Sequence, residues 1–384
     1  MGFPSLGRNN LLYKKAKPLP IKGITLECSM FEKVAKKDYL QYTPYHTFAY
    51  TIKFLREAAL DPQVTSIKIT IYRLASTSHI ASALINAAQN GKDVTVQIEL
   101  RARFDEASNM MYANKMQDQG VKLIFGVPGL KVHSKVCVIE RLENHKIKRY
   151  GFISTGNFNH KTAHIYTDYT LFTADQKILK DLSKLFNFFD TNYIVNIYKH
   201  LIVSPHYSRI TLNRLIDEQI ENVSEGRKGY IRLKLNSISN YTIIDKLYEA
   251  SQAGVKIDMI VRGICCLIPG VPGLSGNIRV KSVIDKYLEH PRVYVFGKGK
   301  ESKVFISSSD WMTRNLDNRV EVSCPIYDED VKNEILETLE ICWQDNVKAR
   351  LLNPEQDNAY VSDTREPLRS QFATYDYYLS KKED

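Results

Sequence analysis

The strongest constraint on the fold is that the same order of elements is written twice in the chain. "SIKITIYRL" (66–74) alternates as a strand, Ala81–Gln89 has helical spacing and stops at Asn90–Gly91, and "DVTVQIEL" (93–100) is a second strand. Glu106–Gln119 reads as a helix closed by Gly120, and "VKLIF" (121–125) as a strand. A Gly/Pro loop then leads into "GLKVHSKVCVI" (129–139), a polar hairpin at 141–147 and a strand running into "STGNFN" (154–159). The second half repeats the series. "YIRLKLN" (230–236) predicts a strand, Ile243–Gln252 a helix stopped by Gly254, and "KIDMIVRG" (256–263) a strand. After a Gly/Pro loop come a predicted helix at 282–288 and two strands, "HPRVYVF" (290–296) and "SKVFISSSDW" (302–311). Nearly equal offsets relate Gly91 to Gly254 and His133 to His290. That is the signature of an internal duplication, and it predicts two α/β modules with a site between them. The pentapeptide "GVPGL" occurs at 126–130 and 270–274, away from the common offset, and supports duplication more weakly.

The expected division is a basic, Pro-containing N-terminal extension (1–45), a first module (46–203), and a second module ending in a helical tail (204–384). A chain of 384 residues, 43% hydrophobic, can give each module its own core. No apolar run approaches the roughly 18 residues of a membrane span, and the N-terminus lacks the apolar stretch of a signal peptide. None of the six cysteines forms a CxxC pair, and Cys265–Cys266 are adjacent, which fits reduced thiols in a cytoplasmic protein. A formal charge of +10 favours a polyanionic partner over a neutral one.

His133 and Lys135 carry the chemistry. In an extended strand residues i and i+2 share a face roughly 7 Å apart, so both can reach one phosphate. Histidine attacks phosphorus as neutral imidazole, and a neighbouring ammonium keeps it neutral by lowering its pKa. The same ammonium stabilises charge in a loose phosphoryl-transfer transition state. The amides of Asn157 and Asn159 can donate to phosphate oxygens, and Lys303 occupies a comparable motif in the second half. The pattern therefore fits covalent phosphoryl transfer.

"KVHSKVCVI" with "STGNFNHKTAHIYTDYTLFTA" resembles the first histidine motif of the phospholipase D superfamily, HxK followed by Gly-x-x-N. More closely, with "SIKITIYRLA", "ELRARFDE", "IVRGICCLIPGVPGLSGNIRVKSV" and "FISSSDWMTRNLDNRVEVSCPI", the chain resembles histidine-phosphorylating bacterial polyphosphate kinase. Two departures from the wider superfamily fit that branch: Glu140 stands where a lipase has Asp, and the second motif is His290–Pro291–Arg292, without lysine. The resemblance implies two phospholipase D-like α/β domains, corresponding to the family's C-terminal catalytic region with a remnant of the preceding linker. It implies His133 as the phosphorylated nucleophile and His290 as the second essential histidine, a proton donor or a partner of the leaving phosphate. It implies Tyr166 and Arg262, with His290, as nucleotide contacts, and Arg73 and Arg103 as residues associated with magnesium. A guanidinium has no lone pair to ligate a metal, so the two arginines read as phosphate clamps beside Mg2+ brought with ATP. Asp105, Glu106 and Asp168 are the nearby carboxylates that could hold the ion. The implied reaction is reversible transfer of the ATP terminal phosphate to polyphosphate. Expected partners are ATP/ADP and inorganic polyphosphate rather than nucleic acid, with peripheral membrane association and a homo-oligomer in the full-length protein. Two other readings stay open: a phosphodiesterase or phosphatidyl transferase of the wider superfamily, and an inactive polyanion-binding fragment.

Overall fold

A computed structural model describes residues 13–14, 16–75, 77–99, 106–191 and 194–383. In the first module the strands run in the order Tyr39–Thr43, Tyr166–Thr173, Lys146–Ser154, Val136–Glu143, Val64–Ile71, Asp93–Ile98, Lys122–Phe125. The last three are mutually parallel and the others antiparallel. The parallel set exists because helices His79–Gln89 and Glu106–Asp118 carry the chain back between its strands. Ser78 caps the first of these helices by accepting from the Ala81 amide, and Gly91 (φ +77°) lets the chain turn out of it. The antiparallel set is joined by hairpins. The turn at Asn144–His145 has φ of 49° and 61°, the mirror-image geometry that matches strand twist.

The second module repeats this plan. Its order is Ala349–Leu352, Ile278–Val283, Lys256–Val261, Tyr230–Leu235, Arg292–Phe296, Lys303–Ser307, Arg319–Pro325, with Ile202–Ser204 antiparallel on the last. Tyr230–Leu235, Lys256–Val261 and Ile278–Val283 are again the parallel set, and Arg292–Phe296, Lys303–Ser307 and Arg319–Pro325 the antiparallel one. The duplication expected from the sequence is therefore the architecture. The two "GVPGL" loops turn alike, with positive φ at Gly126 and Gly129 and at Gly270 and Gly273. They differ in place: the first follows the third parallel strand, the second precedes it.

Several expectations need correction. No helix forms over 282–288; the strand Ile278–Val283 continues there, followed by the two-residue strand Leu288–Glu289. "GLKVHSKVCVI" is not one strand but two, Lys131–Val132 and Val136–Glu143, with His133–Lys135 between them. Residues 39–43, read as part of the extension, form an edge strand buried along its whole length. The C-terminal tail is a docked helix, Ser370–Glu383, whose Tyr378 is 4% exposed.

The break at His133 has a physical origin. Lys131–Val132 pairs in parallel with Arg319–Val320, a strand of the second module's sheet, and the chain crosses into its own sheet only at Val136. Leu288–Glu289, just before His290, reciprocally pairs with Tyr166–Thr167 of the first module. Each module thus lends two residues to the other's sheet immediately before its histidine. The core follows suit: Val132, Val136, Ile153 and Tyr169 share one apolar cluster with Ile260, Val293, Val320 and Val322.

A buried ion pair ties this junction together. Lys234 Nζ lies 2.6 Å from Glu289 Oε2, with side chains only 3% and 4% exposed. Glu289 also accepts from Thr167 of the first module (3.3 Å) and from Gln371 of the terminal helix (2.6 Å). Removing one partner strands a charge in low dielectric, which costs more than the pair itself contributes. Lys234→Met should destabilise the chain by about 3–5 kcal/mol in denaturant unfolding. A loss near zero would show that Glu289 is solvated or neutral and that the junction is held elsewhere.

Candidate active site

The two exchanged strands deliver the histidines in the same way. The amides of His133 and Ser134 both donate to the Val320 carbonyl (2.9 and 3.0 Å), and the amide of His290 donates to Thr167 Oγ1 (3.2 Å). Each ring then meets a carboxylate from the opposite module. His133 Nδ1 lies 2.9 Å from Glu321 Oε2, and His290 Nδ1 lies 2.8 Å from Asp168 Oδ1. Those carboxylates occupy equivalent strand positions and are braced alike. Thr155 Oγ1 donates to Asp168 (2.6 Å) and Ser308 Oγ to Glu321 (2.5 Å), in each case from thirteen residues upstream. Asn315 Nδ2 adds a bond to Glu321 Oε1 at 2.7 Å.

Gly156 is required by this packing. A Cβ there would come 2.0 Å from Asp168 Oδ2 and 2.1 Å from its Cγ, so only glycine lets the carboxylate lie against His290.

Protonation follows from burial. The His133 side chain is 12% exposed, and desolvation pushes its pKa from 6.5 to about 3; Glu321 opposes the shift and Lys135 adds to it. His290 is lowered mainly by burial, with Asp168 opposing and Arg292 and Lys135 assisting. Hydrogen bonds and the facing cations hold Glu321 below the usual carboxylate range despite its burial. Both rings are therefore neutral at physiological pH and donate Nδ1–H to an anion, which leaves Nε2 as the basic atom. Among the described residues nothing donates to Nε2 of His133, so its lone pair is available. At His290 the guanidinium of Arg292 is 3.1 Å from Nε2 and 2.9 Å from the residue's own carbonyl. A proton-donor role for His290 is not what this resting geometry supports.

The remaining candidates separate into those at the site and those elsewhere. Lys135, 2% exposed, bonds the His133 carbonyl, and burial pushes its ammonium well below the ordinary range. Arg73 lies by the ring of Tyr72, which packs edge-on to His133 at 5.0 Å and also faces Lys131 and Lys135. The Tyr166 ring is 5.2 Å from His290, and Arg262 Nε donates to the Glu289 carbonyl (2.5 Å), so this trio is together. The Asn157 Oδ1 is buried with no hydrogen-bond partner among the described residues. Asn159, 5% exposed, uses its oxygen to cap a turn by accepting from the amides of Lys161 and Thr162. Lys303 does not reach the site. It opens its strand opposite Phe296, away from the Ser307–Arg292 end, and ion-pairs with Glu218 on the surface (2.6 Å). Arg103 and Asp105 lie outside the described residues, as does the side chain of Glu106.

Among the described residues there is no group of three or more His, Cys, Asp or Glu side chains able to hold a metal. Asp168, the sequence candidate, already accepts from His290 and Thr155.

The sequence reading missed Glu321, Tyr72 and the pairing role of Asp168. A signal existed. "FISTGN" (152–157) and "FISSSD" (305–310) are a repeat, and counting thirteen residues from each central hydroxyl reaches both carboxylates.

Two outcomes follow from this geometry. Because the folded pKa of His133 lies below 6.5, only the unfolded chain takes up this proton as the pH falls from 6.5 towards about 3, and the associated stability is lost across that window. Nitrogen-detected NMR should show the His133 ring neutral down to about pH 5; a midpoint near the ordinary 6.5 would refute the burial argument. Gly156→Ala should push Asp168 off His290, erase the downfield Nδ1–H resonance of that ring, and cost about 1–3 kcal/mol. An unchanged resonance would mean that Asp168 is not what holds His290.

Family models match nearly the whole chain: the model for Polyphosphate kinase C-terminal domain 1 covers residues 29–195 and that for C-terminal domain 2 covers 201–371. The polyphosphate kinase of Escherichia coli K12 is 45% identical over 386 residues, covering 99% of this chain and 56% of that relative. That of Vibrio parahaemolyticus is 46% identical over 378 residues, covering 98% and 54%. The crystal structure of polyphosphate kinase from Porphyromonas gingivalis superposes with a TM-score of 0.90 at 41% identity, over 97% of this chain and 57% of that one. Phosphatidylserine synthase from Haemophilus influenzae shares the fold alone, with a TM-score of 0.54 at 12% identity over 95% and 96% of the two chains. The chain thus spans little more than half the length of the polyphosphate kinases it matches. With both family domains matched in order and the duplicated, histidine-bearing fold in place, this chain belongs to the polyphosphate kinase family.

Proposed function

We propose that this chain is the catalytic region of an ATP:polyphosphate phosphotransferase that works reversibly through a phosphohistidine on His133. The observation that carries this reading is a neutral imidazole whose Nδ1–H is held by Glu321, with Nε2 open and the Lys135 ammonium on the residue's own carbonyl. In the first step Nε2 gives its lone pair to the γ-phosphorus, the bond to the bridging oxygen breaks, and ADP leaves with that electron pair. In the second, a terminal oxygen of polyphosphate attacks the same phosphorus and Nε2 recovers its pair. Neither step transfers a proton. The Glu321 carboxylate fixes the tautomer and offsets the positive charge that develops on the ring, as a carboxylate does in other histidine-assisted nucleophilic sites.

Tyr166, Arg262 and His290 form the nucleotide side, and Arg73, Lys131 and Lys135 the polyanion side. An arriving phosphate adds the negative charge that buried Lys135 lacks and so raises its pKa towards the ordinary range. Magnesium enters bound to the nucleotide phosphates, where a hard, well-hydrated cation needs few protein ligands. A cytoplasmic setting agrees with six free cysteines. Homo-oligomerisation and peripheral membrane association of the full-length protein rest on the family resemblance.

Incubation with γ-labelled ATP or labelled polyphosphate should place acid-labile, base-stable label on His133. His133→Ala should abolish it, and His290→Ala should slow its formation while leaving His133 able to carry it. Stable label on any residue other than His133 would overturn the assignment.

A further inference from the structure

The two halves of the duplication differ at one atom of the site. In the first, the ammonium of Lys135 goes to the His133 carbonyl and leaves the ring alone. In the second, the equivalent residue is Arg292, which is longer and forked. One arm reaches both the His290 carbonyl (2.9 Å) and His290 Nε2 (3.1 Å), and the other donates to Asp310 (2.8 Å). Arg292 is 5% exposed and held at both ends, so the contact belongs to the framework and not to a mobile surface chain.

A guanidinium has only donors and stays protonated. Its N–H at Nε2 is therefore incompatible with a proton there. With Nδ1–H committed to Asp168, His290 has neither a proton to give at Nε2 nor a free pair to attack with. Charged groups from both modules act on the ring. Asp168 favours the imidazolium, Arg292 and Lys135 oppose it, and burial reinforces them. The Tyr166 ring lies tilted beside it at 50°, while Arg262 donates to the Glu289 carbonyl and the Glu289 carboxylate accepts from Lys234.

We infer that Arg292 is a specificity-determining residue that confines the site to phosphoanhydrides by denying His290 the role of general acid. The inference rests on the proposed reading of His133 as the nucleophile. When Nε2 of His133 forms its bond to phosphorus, the phosphorus–oxygen bond breaks and the pair stays on the departing oxygen. A diphosphate carries that pair as a stable anion and needs only hydrogen bonds and positive charge, which Arg292 and Arg262 supply. An alcohol leaving from an ester is far more basic and needs a proton in the transition state, which this His290 cannot deliver. The same fold with lysine at position 292 would free Nε2, as Lys135 does for His133.

Two measurements test this. In nitrogen-detected NMR, wild-type His290 should show Nδ1 protonated and Nε2 bare from about pH 6 to 8, whereas Arg292→Lys, which removes the donor at Nε2, should let that nitrogen take up a proton at a higher pH than in wild type. In labelling, His133 should be phosphorylated from p-nitrophenyl phosphate and from an alkyl phosphate at very different rates. Arg292→Lys should narrow that ratio by about 10²-fold, the usual worth of a positioned general acid. A protonated Nε2 in wild-type His290 near neutral pH, or an unchanged ratio in Arg292→Lys, would overturn the inference while leaving the phosphotransfer reading intact. Should Arg292→Lys fail to fold, the wild-type spectrum alone decides. Absence of label from every donor, ATP included, would overturn both readings, at His133 and not at His290.

Discussion

Two hydrogen bonds that cross between the modules, Glu321 to His133 and Asp168 to His290, are what the rest of the site depends on. Neither can form within one module. Each needs its histidine to arrive on a strand borrowed by the other sheet, which is why the chain breaks at His133 and why Leu288–Glu289 leaves its own sheet. The carboxylates are expensive to bury: taking an ion out of water costs several kcal/mol, and hydrogen bonds to a charged group each return about 1.5–3 kcal/mol. Glu321 recovers its cost through His133, Ser308 and Asn315, and Asp168 through His290 and Thr155. These bonds add little net stability. Their effect is to fix which nitrogen of each ring holds the proton.

Burial and the carboxylates pull each histidine in opposite directions, and burial prevails. A lone carboxylate at hydrogen-bond distance would raise an imidazole above its ordinary value, yet His133 falls to about 3. Lys135 and the guanidiniums nearby tip the balance, because a proton on the ring would add another positive charge in low dielectric. A neutral imidazole among cations that Glu321, Asp168 and Asp310 only partly offset is the electrostatic setting on which the proposed phosphotransfer rests.

Much of this was legible in the sequence where the signal is local. The parallel strands and their helices follow from period and punctuation, and His133 and Lys135 declare themselves within three residues. The carboxylates are harder because each lies far along the chain from its histidine: Glu321 is 188 residues from His133. In "NRVEVSC" Glu321 sits between Val320 and Val322, where alternation reads it as the exposed residue of a strand, yet all three are buried because the strand lies at the seam. The error over Lys303 is one of direction. Its strand carries Ser307 to the site, and Lys303 stands four residues back, about 13 Å away along an extended chain. The helix expected at 282–288 is replaced because Ser282 and Val283 pair with Arg350 and Ala349 as the end of a strand, and Leu288 pairs with Tyr166 of the first module.

Duplication gives two equivalent sites at the seam, and the chemistry comes from how they have diverged. The repeats "FISTGN" and "FISSSD" place Asn157 and Asp310 at matching positions, each after a turn in which an amide donates to the serine two residues earlier. In the second half Asp310 neutralises Arg292, takes the amides of Asn236 and Ser237, and holds the guanidinium against His290. In the first half Asn157 carries no charge, so the carboxylates acting on Lys135 are Glu321, from the other module, and Asp168. Arginine goes with aspartate and lysine with asparagine because each pair balances its own edge of the seam differently. One half is closed on itself and the other is left open to an anion. A symmetric scaffold thereby acquires one imidazole with a bare Nε2 and one whose Nε2 is capped, and the residue at +2 from each histidine is where the symmetry is broken.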